Sequence, residues 1–137
     1  MDKRKKFNIL VVEDNEFYNS MLTKQLDNRA RRMKEFEDYI FEIHSYTSVK
    51  DCLRNLKADT NIAFLDYYLG EGITALDVMK VLKKKCDQCK VVVFSRTENE
   101  MITKQIIEGG ALEFLAKNKN AFLESGHILE DIIAGKC

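Results

Sequence analysis

A chain of 137 residues, 45% of them hydrophobic, is the size of one ordinary domain and long enough to bury a core. Lysine plus arginine balance aspartate plus glutamate at 22 each, so bulk charge gives no reason to expect a nucleic-acid partner. No apolar stretch approaches the length of a bilayer span.

The basic start, residues 1–6, leads into a short apolar run without a signal-peptide core and reads as a solvated tail. Residues 7–12 predict a first strand, ILVV, which ends in Glu13-Asp14. From Glu16 a helix is expected, with Leu22, Leu26, Ala30 and Met33 on one face. The stretch from Asp27 to Tyr39 carries Arg29, Arg31, Arg32, Glu35, Glu37 and Asp38. It reads as a charged helical extension, solvated or offering a docking surface. Residues 40–46 predict a second strand, half-buried or at an edge, and Ser48 is placed to cap a short helix carrying Val49, Leu53 and Leu56.

Residues 62–65 form a third apolar run, ending in Asp66. Gly70 and Gly72 mark a turn, and a helix to about Lys85 turns Leu76, Met79 and Leu82 inward. The lysines at its end suit the negative pole of the helix dipole. Residues 91–94 form a fourth strand before Ser95. Thr97 or Glu98 opens the next helix, which stops at Gly109-Gly110. Residues 112–115 form the fifth strand, followed by Lys117, and a last helix carries Leu129, Ile132 and Ile133, its start obscured by Gly126.

Cys86 and Cys89 form a single C-x-x-C with no second pair, and His44 and His127 are far away in sequence. Ordinary reduced thiols in a cytosolic protein are expected, with no zinc site.

Alternating β and α elements with short apolar strands predict an α/β fold, a parallel sheet covered on both faces. The expected form is a doubly wound (βα)5 flavodoxin-like three-layer sandwich of strand order 2-1-3-4-5. Its ligand edge lies at the C-terminal ends of the strands. The switch point brings Glu13 and Asp14 beside Asp66. Asp14 and Asp66 would each give Mg2+ a carboxylate oxygen, Glu13 would act through a water, and the Tyr68 backbone carbonyl would add a ligand. Mn2+ fits the same donors. Asp66 is also a candidate nucleophile, with Lys117 and Ser95 as partners for phosphoryl oxygens.

With these residues in this order, the chain resembles the receiver domain of response regulators in two-component phosphorelays. The resemblance runs from residue 7 to residue 134. It rests on the acid pair in ILVVEDN, the acceptor in IAFLDYYLGEG, the hydroxyl in VVVFSR and the lysine in EFLAKN. It implies a phosphoryl group received on Asp66 from a histidine kinase or a histidine phosphotransfer protein. It further implies Mg2+ held by Glu13 and Asp14, a switch made of Ser95 and Phe114, and a downstream protein partner whose identity stays open. Such a protein is a phosphoacceptor rather than an enzyme proper, with self-phosphorylation and self-dephosphorylation as its chemistry.

Three flanking residues depart from the family pattern. Asn118 stands where proline usually follows the lysine, which predicts a trans bond or a strained cis bond. Arg96 stands where a small residue is usual, and Tyr68 lies two residues past Asp66. Both are placed to shield the site and slow loss of the phosphoryl group. Two other readings compete. One is a pseudo-receiver that binds proteins without phosphorylation. The other is a hydrolase with an aspartyl-phosphate intermediate, which would want an acid where Tyr68 stands.

Overall fold

Five strands alternate with five helices in the structure, a computed structural model that describes residues 4–33, 37–97 and 99–136. They are β1 (Lys5–Val12), α1 (Glu16–Arg32), β2 (Tyr39–Tyr46), α2 (Val49–Asn55), β3 (Thr60–Asp66), α3 (Ala75–Lys85), β4 (Lys90–Ser95), α4 (Glu100–Glu108), β5 (Glu113–Ala116) and α5 (Ala121–Ile133). All neighbouring strands pair in parallel, in the order β2-β1-β3-β4-β5. This is the expected flavodoxin-like sandwich.

Side chains alternate across a strand, so each buried strand feeds two cores. Phe7, Ile9, Val11, Ile62, Phe64, Val92 and Phe94 pack against Leu22, Leu26 and Ala30 of α1 and Ala121 and Leu129 of α5. Leu10, Val12, Ala63, Leu65, Val91 and Val93 pack against α2, α3 and Ile106 of α4. The same alternation decides on which side of the sheet each strand-end residue emerges.

Several local expectations hold. Ser48 caps α2, accepting a hydrogen bond from the Asp51 N–H at 3.4 Å. Gly70 and Gly72 adopt φ of +84° and +75°, which only glycine does without strain. α4 does not open at Thr97. Its N-cap is Asn99, whose side chain accepts from Met101 and Ile102 N–H at 2.9 and 3.2 Å, and amide side chains are strong caps. The alternative start, Glu98, lies outside the described residues, as do residues 1–3, Glu35 and Cys137. The strand β1 begins at Lys5, so Lys5 and Lys6 pair with Tyr39 and Ile40 rather than belonging to a tail.

Gly126 lies inside α5, which runs unbroken from Ala121. A Cβ there would meet the Arg29 side chain at 3.3 Å. Glycine therefore lets α1 and α5 close on each other, and Arg29 pairs with Glu130 across the gap. His127 is exposed within α5, and His44 in β2 lies 3.4 Å from Glu42. Burial pushes the Cys52 thiol up to about 11 and, with Cys86 beside it, the Cys89 thiol up to about 12. Cys86 points its thiol at the Thr60 carbonyl, 3.0 Å away. Among the described residues no helix is long and apolar enough to cross a membrane.

Candidate functional site

Glu13, Asp66 and Lys117 continue the alternation of β1, β3 and β5 onto the α1/α5 side. Asp66 follows Ile62 and Phe64, and Lys117 follows Leu115, all residues of that core. The sheet thus delivers an ammonium and two carboxylates to one point. Lys117 Nζ is in direct contact with Glu13 Oε1 and lies 3.1 Å from Asp66 Oδ1. Both acids and the lysine side chain are largely buried there, with Glu13 only 2% exposed. Asp14 is exposed beside them, and one oxygen from each of the three carboxylates lies within 4.8 Å of the others. Burial, then the neighbouring Asp66, raise the Glu13 carboxyl to about 7 against the opposing pull of Lys117.

The donor set suits a hard divalent cation. Three carboxylates against one ammonium leave two negative charges when all are ionised, and all the donors are oxygen. After β3 the chain makes a tight bridge. The Ala75 N–H donates to the Tyr67 carbonyl at 2.8 Å and the Leu69 N–H to the Ile73 carbonyl at 3.0 Å. The Tyr68 carbonyl takes part in neither bond. The following Gly70 brings the turn to within 3.9 Å of the Asp14 carboxylate, measured from the Cβ a larger residue would carry.

A cleft of about 390 Å³ opens over these groups, lined by Asp14, Asn15, Asp66, Tyr68, Arg96 and Lys117. Tyr68, 54% exposed, and the exposed Arg96 form part of its rim. The Lys117–Asn118 bond is trans, since the described residues contain no cis peptide. Asn118 shapes the turn into α5, its side chain accepting from the Asn120 N–H at 2.8 Å.

Ser95 is placed differently from the expectation. It follows Val91 and Val93 onto the α4 side of the sheet. Its hydroxyl donates to the Thr97 carbonyl at 3.1 Å and accepts from the Thr97 N–H at 3.2 Å. It lines a separate groove of about 770 Å³ between α4 and β5, together with Phe114, Ile107 and Thr103. In this structure its hydroxyl is satisfied by the Thr97 backbone rather than turned to the acids. The link to the acid side is through backbone, since the Lys117 N–H donates to the Ser95 carbonyl at 2.9 Å.

Two residues escaped the sequence reading. Asn19 is buried and donates to the carbonyls of Glu13 and Tyr46 at 3.1 and 3.0 Å, while Ser45 and Thr23 hydroxyls meet its oxygen. It pins the Glu13-Asp14 turn to the end of β2. Its signal was a polar side chain three residues before Leu22, on the buried face. Asn19→Ala is expected to cost about 2 kcal/mol in a denaturant melt, because the carbonyl of Glu13 loses its side-chain donor and two hydroxyls lose their acceptor. It should also weaken divalent-cation binding in a titration. The second residue is Tyr18, whose ring centroid lies 4.3 Å from Lys117 Nζ.

Against this geometry, the chain's relationships are clear. The family model for the response regulator receiver domain matches residues 9–124. The chain belongs to that family, the receiver domains of two-component systems. The response regulator DrrB of Thermotoga maritima, an OmpR/PhoB homologue, superposes with a TM-score of 0.73 at 14% identity. That match covers 96% of this chain and 54% of DrrB, so this chain spans about half of DrrB's length. A CheY-like receiver domain protein of Methanospirillum hungatei gives a TM-score of 0.74 at 16% identity, over 96% of this chain and 97% of that one. A response regulator of Burkholderia pseudomallei, solved with a phosphorylated aspartic acid and a calcium ion, gives 0.63 at 19%, over 91% and 75%. A search of curated proteins finds no significant match.

Proposed function

We propose that this receiver domain is a phosphoacceptor switch that takes a phosphoryl group on Asp66 in a Mg2+-dependent reaction. The observation that carries the reading is the Lys117 ammonium, held 3.1 Å from Asp66 beside the three-carboxylate cluster. Membership of the family and the phosphorylated aspartic acid in the Burkholderia relative support it.

The donor is a phosphohistidine of a histidine kinase or phosphotransfer protein. An Asp66 carboxylate oxygen attacks phosphorus in line. The P–N bond breaks, and the imidazole leaves with that electron pair and takes up a proton. Lys117 supplies a point charge to the phosphoryl oxygens, and the cleft positions them. Glu13, Asp14, Asp66 and the Tyr68 carbonyl would hold the cation, which when bound neutralises charge on the transferring group. Tyr68 and Arg96 on the rim restrict water and so slow loss of the product.

The acyl phosphate carries about −1.5 to −2 charges near β4, where the free carboxylate carried one. Ser95 then leaves Thr97 for a phosphoryl oxygen, and Phe114 turns into the space along α4 and β5. A downstream protein reads the altered groove. All of this suits a cytoplasmic signalling protein.

The test is incubation with Mg2+ and a small acyl phosphate, followed by intact mass and peptide mapping. One stable adduct on the peptide bearing Asp66 is the expected result. No adduct, with kinases included, would assign the chain to phosphorylation-independent binding, and rapid multiple turnover would assign it to hydrolysis.

A further inference from the structure

The ammonium of Lys117 sits at the end of a stem with four rotatable bonds, and its backbone fixes only the root of that stem. Three groups meet the nitrogen: the Glu13 carboxylate, Asp66 Oδ1 at 3.1 Å, and the face of Tyr18 at 4.3 Å. Two of the three are acids that change partner in use. Asp66 loses a free carboxylate when it carries a phosphoryl group, and Glu13 turns toward a cation. The aromatic face neither titrates in this range nor takes a ligand.

The ring is itself well held. It lies edge-on to Phe94 at 6.2 Å and tilted against Phe122 at 5.1 Å, so β4 and α5 fix its plane. Asn15 fixes the helix start beneath it, accepting from the Tyr18 N–H at 2.8 Å. The Tyr18 hydroxyl, by contrast, is the buried side-chain polar group without a hydrogen-bond partner among the described residues. The site therefore uses the face of the ring, while its polar end has no part in local hydrogen bonding.

We infer that Tyr18 is a positioning residue: its aromatic face keeps the Lys117 ammonium in the acid cleft by a cation–π contact while the two carboxylates exchange partners. The inference rests on the proposed phosphoacceptor role of Asp66 for its consequence, though not for the contact itself. A partly desolvated cation–π contact is of a size to matter to a rate.

The test compares initial phosphorylation rates with a small acyl phosphate and Mg2+ for the parent, Tyr18→Leu, Tyr18→Phe, Lys117→Met and the Tyr18→Leu/Lys117→Met double variant. Tyr18→Leu should slow phosphoryl uptake by about threefold to tenfold. Tyr18→Phe, which keeps the face and removes only the unpartnered hydroxyl, should restore most of the rate. In the Lys117→Met background the leucine should cause no further loss. A purely structural role would instead lower the rate equally in both backgrounds, and that result would overturn the inference.

A second readout needs no phosphoryl transfer. By NMR, the Lys117 ε-methylene protons should be shifted upfield by the ring in the parent and in Tyr18→Phe, and should return to ordinary positions in Tyr18→Leu. Unshifted protons in the parent would overturn the contact outright. A parent that takes up no phosphoryl group but shows the ring shift would sink the phosphoacceptor reading while leaving the contact in place.

Discussion

The Asp66→Asn variant is expected to take up no phosphoryl group, and in the absence of metal to be more stable than the parent. The first effect follows from chemistry, since an amide oxygen is no nucleophile toward phosphorus at neutral pH. The second follows from electrostatics. Glu13 is buried, and the charge of Asp66 helps raise its carboxyl to about 7. Asparagine keeps the shape and still offers Lys117 an oxygen, while removing one of three crowded charges.

The pH dependence has a definite sign. The folded Glu13 carboxyl titrates near 7 and the free one near 4.5. Between those values the folded protein binds more protons than the unfolded chain. Stability therefore falls as pH rises through this window, by about 3 kcal/mol from this group alone. Asp66→Asn should flatten that slope and gain about 1–2 kcal/mol at pH 8. Denaturant melts at pH 5 and pH 8 without metal measure both. A steeper slope in the variant would refute the account of Glu13. Because a cation needs the ionised carboxylate, Mg2+ should raise the parent's melting temperature more at pH 8 than at pH 6.

Lys117→Met should act in the opposite direction on stability and in the same direction on activity. Without the ammonium, buried Glu13 loses its direct ionic partner and Asp66 loses the contact at 3.1 Å. At pH 8 the unpaired buried charge should cost about 3 kcal/mol. At pH 5 Glu13 takes a proton, and the cost should shrink to about 1 kcal/mol. Phosphoryl uptake should slow by about 100-fold, the usual scale for removing one preorganised charge from a transferring group. Stopped-flow mixing with a small acyl phosphate gives the rate. An unaltered rate would mean that Lys117 serves the resting acids alone.

The strand pattern made the fold legible from sequence. Apolar runs of four to six residues separated by helical spacing leave few arrangements other than a parallel covered sheet. The convergence of Glu13, Asp14, Asp66 and Lys117 followed from strand order, because ligand sites in such sheets lie at one edge. Strand order does not by itself say which face a residue takes. Ser95 shows this. Its alternation with Val91 and Val93 sets it on the α4 side with Phe114, the pair the resemblance implies, while parity says nothing of a reach toward phosphoryl oxygens. Its bond to Thr97 depends on a loop conformation that no local pattern encodes. Gly126 misled for a related reason, since its lack of a side chain answers to Arg29 on another helix. Tyr18 and Asn19 were hidden because their roles lie in contacts with β1, β2 and the far end of the chain.

The opposite facing of Lys117 and Ser95 has a consequence for traffic at the domain. The acid cleft opens at the C-terminal edge of the sheet, rimmed by Asn15, Tyr68 and Arg96, and the groove of Ser95 and Phe114 opens between α4 and β5, with the Lys117 N–H to Ser95 carbonyl bond running between the two. Under the proposed function, the phosphodonor meets the acid cleft, while a reader of the second groove answers to how Ser95 and Phe114 are set.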